Sequence, residues 1–151
     1  GDYSATYVEL QTDAGVAGLL LRVLLAVAMF PHGAQKALGW FGGFGVSGTL
    51  GYFKGLGIPT AVGLLGIAAE FVGPLLLVAG FATRVAALGI ASMMLGAVVL
   101  VHRPYGFFMN WFGQLPQGKE GYEYQLLALG VALVLLLVGG GSWSFDAFLT
   151  R

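Results

Sequence analysis

The chain has 151 residues, no net formal charge at pH 7 and no cysteine. Only 9% of its residues are charged while 58% are hydrophobic, and the mean hydropathy is +0.86. A soluble domain carries about 25% charged residues, so this chain cannot cover a water-facing surface. The composition therefore predicts an integral membrane protein. It excludes disulfide exchange, thiolate nucleophiles, Cys-ligated clusters and nucleic-acid binding through a basic patch.

The first thirteen residues are polar, contain Asp2, Glu9 and Asp13, and lack the basic start of a signal peptide. We expect them to form a polar N-terminal segment, followed by a single transmembrane domain over residues 14–151. A spanning helix needs about 20 mostly apolar residues. The sequence predicts an all-α membrane protein, a bundle of four transmembrane helices. The predicted spans are residues 14–38, 59–81, 84–101 and 122–140.

Two long connections, residues 39–58 and 103–121, are rich in glycine and aromatic residues. Only Ala82 and Thr83 separate the second and third spans, so these spans must form a tight hairpin and both long connections fall on one membrane face. The aromatic residues are expected to form a belt at the membrane surface or a lid folded over the bundle. Lysines and arginines are divided too evenly between the two faces to decide the orientation.

Glu70 lies near the middle of the second span, at a depth where a charged side chain costs at least about 2.5 kcal/mol. Gly63, Gly66 and Gly73 share its helix face. A glycine stripe lets a neighbouring helix approach closely, so Glu70 is expected to point into the bundle. Pro74 removes the hydrogen bond to the carbonyl of Glu70 and frees an acceptor beside the carboxylate.

Arg22 is the cation of the first span at comparable depth. At 1.5 Å per residue, Arg22 and Glu70 lie about 22 Å and about 16 Å from the long-loop end, a difference that an extended arginine can bridge. We therefore predict a buried Arg22–Glu70 ion pair at the floor of a polar pocket. Such a pair is costly to break without being specially stabilising, so its role is that of an anchor.

The candidate chemistry lies about two helical turns farther out, toward the long-loop face. His32, Gln35 and Lys36 follow one another on the first span, and His32 and Lys36 are one turn apart on one helix face. With His102 they are the predicted catalytic residues. The predicted ligand pocket adds Asn110, Trp111, Glu123 and Tyr124. Two histidines without cysteine make a poor zinc or haem site, so no metal or haem is expected.

Several motifs, in this order along the chain, resemble the DoxX family. They are HGAQK at 32–36 followed by Gly39, GIP at 57–59, Glu70 with Gly73, Thr83-Arg84, GFFMNW at 106–111 and EGYEY at 120–124. The resemblance extends from about Gly15 to Asp146. It implies a compact, multi-pass four-helix protein of a bacterial or archaeal plasma membrane. Pro74 departs from the pattern, which more often has glycine there.

The resemblance implies two functions between which the residues do not decide. Related subunits form a thiosulfate:quinone oxidoreductase, which would make this chain a membrane subunit of a quinone-linked system in sulfur metabolism or oxidative stress. Its catalytic and pocket residues would then hold a quinone headgroup and relay its protons. Family members also assemble with soluble sulfurtransferases and oxidative-stress enzymes, which would make it a non-catalytic scaffold. A transporter is a third alternative. Separately, the glycine faces at Gly89, Gly96 and Gly130 would suit either a homo-oligomer or helix contacts within one bundle.

Overall fold

The computed structural model describes residues 14–151, so the polar segment predicted for residues 1–13 lies outside the described part of the chain. Within residues 14–151 all regular structure is helical. Short 3-10 turns at Trp40–Gly42 and Arg103–Tyr105 and a π-helical turn at Val98–His102 connect the longer helices. The α-helices are α1 (Ala14–Leu38), α2 (Gly45–Gly55), α3 (Thr60–Ala79), α4 (Thr83–Ala97), α5 (Glu123–Val138) and α6 (Phe145–Leu149).

Three helices in the described range are long and apolar enough to cross a membrane: Gly15–Leu38, Thr60–Ala79 and Thr83–Tyr105. The third continues from α4 through the π-helical turn, so it extends beyond the predicted end at residue 101. α5 is also apolar but has 16 residues, or about 24 Å, against a hydrocarbon core of about 30 Å. It ends where Gly139 takes a φ of 77°. An all-helical membrane protein is thus confirmed, with three helices of spanning length and one shorter apolar helix.

The four long helices pack in the cyclic order α1, α3, α4, α5, and α5 closes the bundle against α1. Met29, Leu77, Ile90 and Leu135 contribute fully buried side chains, one from each of these helices. Large apolar side chains also cover the outside of the bundle, which suits a surface facing lipid.

The glycine stripe of α3 lies at close helix contacts, as the sequence predicts: Gly66 and Gly73 face α4, whereas Gly63 faces Leu50 and Phe53 of α2. A Cβ on Gly66 would meet Met93, and one on Gly73 would meet Ile90. α1 approaches α3 from another side at Gly33, where a Cβ would overlap the carbonyl oxygen of Glu70. This is the carbonyl that Pro74 frees, so the released acceptor lies against the backbone of α1.

The turn between α3 and α4 is held by the C-terminal segment. The carboxylate of Asp146 accepts the N–H groups of Ala82 and Thr83 at 2.7 and 2.9 Å, and the N–H of Asp146 donates to the carbonyl of Gly80 at 2.9 Å. Burial alone would raise the pKa of Asp146, but these backbone hydrogen bonds and the charge of Arg22 hold that pKa below its usual value. Asp146 therefore caps the N-terminus of α4 from a distant part of the chain.

Most aromatic residues of the long connections are exposed, although Phe53 is buried. Phe44 is 72% exposed, Trp111 71% and Phe112 89%. The first connection also contains helix α2, which lies against α1 and α3. Such exposure is typical of an aromatic belt at the membrane surface and is not what a lid with inward-facing rings would give.

Candidate functional site

Glu70 is paired with Lys36 across the interface of α1 and α3. The Lys36 Nζ lies 2.6 Å from the Glu70 Oε2, with the lysine side chain 25% exposed and the glutamate 4% exposed. Side chains of a helix lean toward its N-terminus, so Lys36 reaches back from the loop end of α1 toward the depth of Glu70. The prediction that Glu70 points into the bundle is confirmed.

The predicted Arg22–Glu70 ion pair is wrong. Arg22 is fully buried, and its guanidinium donates to carbonyl oxygens at the opposite end of the bundle. Nη1 donates to Leu77 at 2.8 Å and more weakly to Val78 at 3.3 Å, Nε donates to Gly140 at 3.1 Å, and Nη2 donates to Trp143 at 2.6 Å.

The register between α1 and α3 explains why Arg22 does not reach Glu70. Gly33 lies level with Glu70. Arg22 precedes Gly33 by eleven residues, or about 16 Å along the axis of α1. That distance carries Arg22 to the C-terminal end of α3. Its charge faces the carbonyl groups that end α3, where a cation is favourable both for hydrogen bonding and for the helix dipole.

His32 and Gln35 lie near the Lys36–Glu70 pair without joining it. His32 is exposed on α1, and its ring centroid lies 5.4 Å from that of Tyr124 on α5. Gln35 donates to the carbonyl of Phe41 at 3.3 Å and so ties α1 to the first long connection. The structure thus brings His32, Lys36, Glu70 and Tyr124 together at one end of the bundle.

The first turn of α5 connects three parts of the molecule through consecutive residues. Glu123 accepts the indole N–H of Trp111 at 3.0 Å, and Tyr124 donates its hydroxyl to the carbonyl of Ala28 on α1 at 3.0 Å. Gln125 lies 3.2 Å from the ring of His102. This turn therefore links the second long connection, α1 and the end of α4.

His102 is the last residue of the π-helical turn, a kind of local distortion that often occurs at functional sites. Its Nδ1 lies 2.8 Å from the carbonyl oxygen of Glu120, and its Nε2 lies 3.2 Å from the Nε2 of Gln125. The Oε1 of Gln125 is buried and has no hydrogen-bond partner. Both ring nitrogens of His102 are therefore occupied by protein groups.

Two cavities lie near the predicted ligand residues. An open groove of about 520 Å³ follows one face of α5, and a cavity of about 410 Å³ lies within the second long connection. Neither is lined by His32, Gln35, Lys36 or Glu70. The groove is lined by Phe107, Glu123, Leu126, Leu127, Gly130, Val131 and Val134.

The structure divides the predicted pocket residues between different surroundings. Trp111 and Glu123 meet at the end of the groove, whereas Tyr124 turns toward α1. Asn110 exchanges two hydrogen bonds with the backbone of Leu115, at 2.8 and 2.9 Å, and so orders its own loop. Within residues 14–151, no three histidine or carboxylate side chains are grouped as metal ligands.

Sequence reasoning did not find three of these polar contacts. Gln125 follows a predicted site residue but is a neutral amide in an apolar helix. Arg22 stands out in the sequence by its charge, yet its partners are backbone carbonyls, which no sequence pattern marks. Asp146 follows Ser144 in an N-cap pattern for α6, but its carboxylate caps α4 instead.

Comparison with known proteins agrees with the motifs in the first two thirds of the chain. A family model described as DoxX matches residues 17–103, which include the HGAQK run and Glu70. The GFFMNW and EGYEY segments lie beyond the matched range. No curated protein and no solved structure matches the chain. On the family match and its apolar helices, this chain is an integral membrane protein that belongs to the DoxX family.

Proposed function

We propose that this protein is the membrane subunit of a quinone-linked oxidoreductase system and that the groove along α5 receives the quinone. A quinone supplies two-electron, two-proton chemistry on a ring attached to a long apolar tail. The groove combines an apolar trough with a carboxylate at one end, and this combination is the observation that supports the proposal.

The dimensions of the groove suit such an amphiphile. Its volume of about 520 Å³ falls within the roughly 300–1,000 Å³ of small-molecule sites. Its lining residues recur every three or four positions, so they form one continuous face of α5. Gly130 lies midway along this face, and the space beside it is open. A tail would thus lie along α5 toward the membrane centre, with the ring near Glu123.

Glu123 is placed to accept a proton at the ring end of the groove. The Trp111 indole N–H donates to one of its oxygens and so fixes the orientation of the carboxylate. Within residues 14–151, no lysine, arginine or histidine nitrogen lies within 4.0 Å of it. The carboxylate is therefore not neutralised by a close cation, and it can relay a proton: to the ring when a bound quinone is reduced, and from the ring when a bound quinol is oxidised.

Electrons must be exchanged with another molecule, because the chain has no cysteine to form a thiol or Cys-ligated redox centre. A soluble sulfurtransferase or oxidative-stress enzyme, or a directly bound reductant, would fill that role. In this proposal the chain binds and orients the quinone, while Glu123 and the surface groups beside it move protons.

The test is quinone retention by variants that fill the groove. Gly130→Leu should lower the quinone that co-purifies in mild detergent by about tenfold or more, equivalent to about 1.4 kcal/mol of binding. Gly96→Leu is the matched control, because Gly96 also lies in a helix with open space beside it but outside the groove. Folded wild-type protein that neither contains quinone nor binds added quinone would refute the proposal.

The scaffold function has its own supporting observation. Phe108, Trp111 and Phe112 form an exposed aromatic surface on the second long connection, where a soluble enzyme would dock. Replacing Phe108 and Phe112 by serine should then abolish co-purification of a soluble redox enzyme and leave quinone content unchanged. A quinone-binding subunit that acts without a docked enzyme should instead be insensitive to these changes and sensitive to Gly130→Leu.

A further inference from the structure

The contacts of His102 determine where its proton lies in the neutral state. A backbone carbonyl only accepts, so the Nδ1 that faces the carbonyl of Glu120 at 2.8 Å must carry a hydrogen. In a neutral imidazole the Nε2 is then an acceptor, and the side-chain amide of Gln125 donates to it at 3.2 Å. This arrangement leaves the Oε1 of Gln125 buried without a partner, which is unfavourable for a buried acceptor.

A second proton on His102 reverses this pairing. Nε2 becomes a donor, and the donating NH₂ group of Gln125 can no longer face it. A half-turn of the amide exchanges its nitrogen and oxygen, so that Oε1 accepts from the imidazolium. Oε1 then gains a charge-assisted hydrogen bond from the imidazolium, while the NH₂ group moves to the position where Oε1 has no partner beside neutral His102.

We propose that His102 and Gln125 form a proton-sensing switch in which the orientation of the Gln125 amide follows the protonation of His102. The switch has two discrete states, because the Gln125 amide presents either its nitrogen or its oxygen to His102. In one state Gln125 donates the hydrogen bond, and in the other it accepts. It concerns groups of this chain alone and does not depend on a bound quinone.

The charged and titratable groups around the switch come from each neighbouring element. The second long connection contributes Glu120, whose carboxylate accepts the N–H of Gly118 at 3.3 Å. α5 contributes Glu123 and Tyr124, Arg103 follows His102 in the chain, and His32 of α1 contacts Tyr124. No carboxylate oxygen of residues 14–151 lies within 4.0 Å of the His102 ring nitrogens. Gln125 is therefore the side-chain partner that distinguishes the two protonation states.

The switch contacts two parts of the candidate site: the first turn of α5 and the second long connection. Gln125 is 9% exposed and belongs to the turn of α5 that holds the Trp111–Glu123 and Tyr124–Ala28 contacts. His102 also holds the second long connection through the carbonyl of Glu120. A change of amide orientation therefore alters the hydrogen bonding between α4, α5 and this connection, where the carboxylate of Glu123 lies.

The experiment uses the full chain in lipid nanodiscs with ¹⁵N-labelled histidine and glutamine. The chain has two histidines, so His32→Asn leaves His102 as the only histidine signal without adding a glutamine. Nuclear magnetic resonance spectra would be recorded from pH 9 to pH 5, the range in which histidine side chains change charge. We expect the neutral ring to carry its hydrogen on Nδ1, and the Gln125 amide signals to shift with the same midpoint as the ring.

A fluorescence measurement follows the second long connection. The chain has three tryptophans, so Trp40→Phe with Trp143→Phe leaves Trp111 as the reporter. Its emission should change with the same midpoint as the His102 signals. Gln125→Leu, which keeps the approximate shape of the side chain, should abolish this response.

Three results would overturn the switch: a neutral His102 with its hydrogen on Nε2, a Gln125 amide unchanged while His102 gains its proton, or a His102 that does not titrate from pH 9 to pH 5. An unaltered Trp111 response in folded Gln125→Leu protein would overturn its coupling to the loop. If that variant does not fold, the first three measurements still decide, because they use protein with Gln125 intact.

Discussion

Lys36 and Glu70 form an ion pair between α1 and α3, with the Lys36 Nζ 2.6 Å from the Glu70 Oε2. The pair joins a carboxylate buried in the bundle to an ammonium that retains partial exposure near the membrane face. Beside it, Gly33 lets the two helix backbones approach at the level of Glu70. The charge of Glu70 is thus neutralised by a residue at the loop end of α1. Arg22 instead donates to backbone carbonyls at the opposite end of the bundle.

Lys36→Met should destabilise the folded protein by about 3 kcal/mol, because it leaves a buried carboxylate without its partner. The double variant Lys36→Met with Glu70→Gln should recover most of that loss. Thermal unfolding of the purified protein in one detergent would measure the four combinations. Losses that simply add in the double variant would show that the two side chains do not interact.

Arg22→Met should also cost about 3 kcal/mol or more, since four carbonyl groups lose their donor at once. Arg84→Met is the matched control. Arg84 is exposed and makes one 3.3 Å hydrogen bond, to Leu137, so its loss should be within about 0.5 kcal/mol. Adding Glu70→Gln should not rescue Arg22→Met, and a rescue would support the ion pair that the structure does not contain.

Asp146 should make stability depend on pH in acid. Its folded-state pKa lies below its usual value of 3.8, so the folded state favours the charged carboxylate. This contribution is fully present above about pH 4 and is lost as the pH falls through the folded-state pKa. Asp146→Asn should lower the melting temperature at pH 7, and the difference from wild type should narrow below pH 4. A constant difference from pH 7 to pH 3 would contradict the capping role.

Gly33→Ala should destabilise the protein by about 2 kcal/mol or more, because its Cβ would overlap the backbone of α3 at Glu70. Gly51→Ala is the control, since Gly51 lies in α2 with open space beside it. That change should be neutral or stabilising by up to about 1 kcal/mol, as expected for glycine to alanine in a helix. Equal effects at both positions would show that the close approach at Gly33 is not required.

Much of the architecture follows from the sequence. Long apolar runs can satisfy their backbone groups in lipid only as helices, so their length and order predict the bundle. The glycine spacing around Glu70 likewise predicts an inward-facing carboxylate, which the structure confirms. The end of α5 was predicted two residues too late, at 140 instead of Val138, because the hydrophobic pattern continues past the helix into a glycine-rich turn.

The partners of the buried charges are decided by the tertiary structure. The sequence by itself determined that a membrane bundle must neutralise Glu70 and Arg22, because charges at that depth are costly. It did not determine the register of α1 on α3, which depends on where the backbones approach at Gly33. That register places Lys36 beside Glu70 and Arg22 among carbonyls about 16 Å away. A hydrogen bond to a backbone carbonyl needs no particular residue type, so such contacts as those of Arg22 and His102 leave no pattern in the sequence.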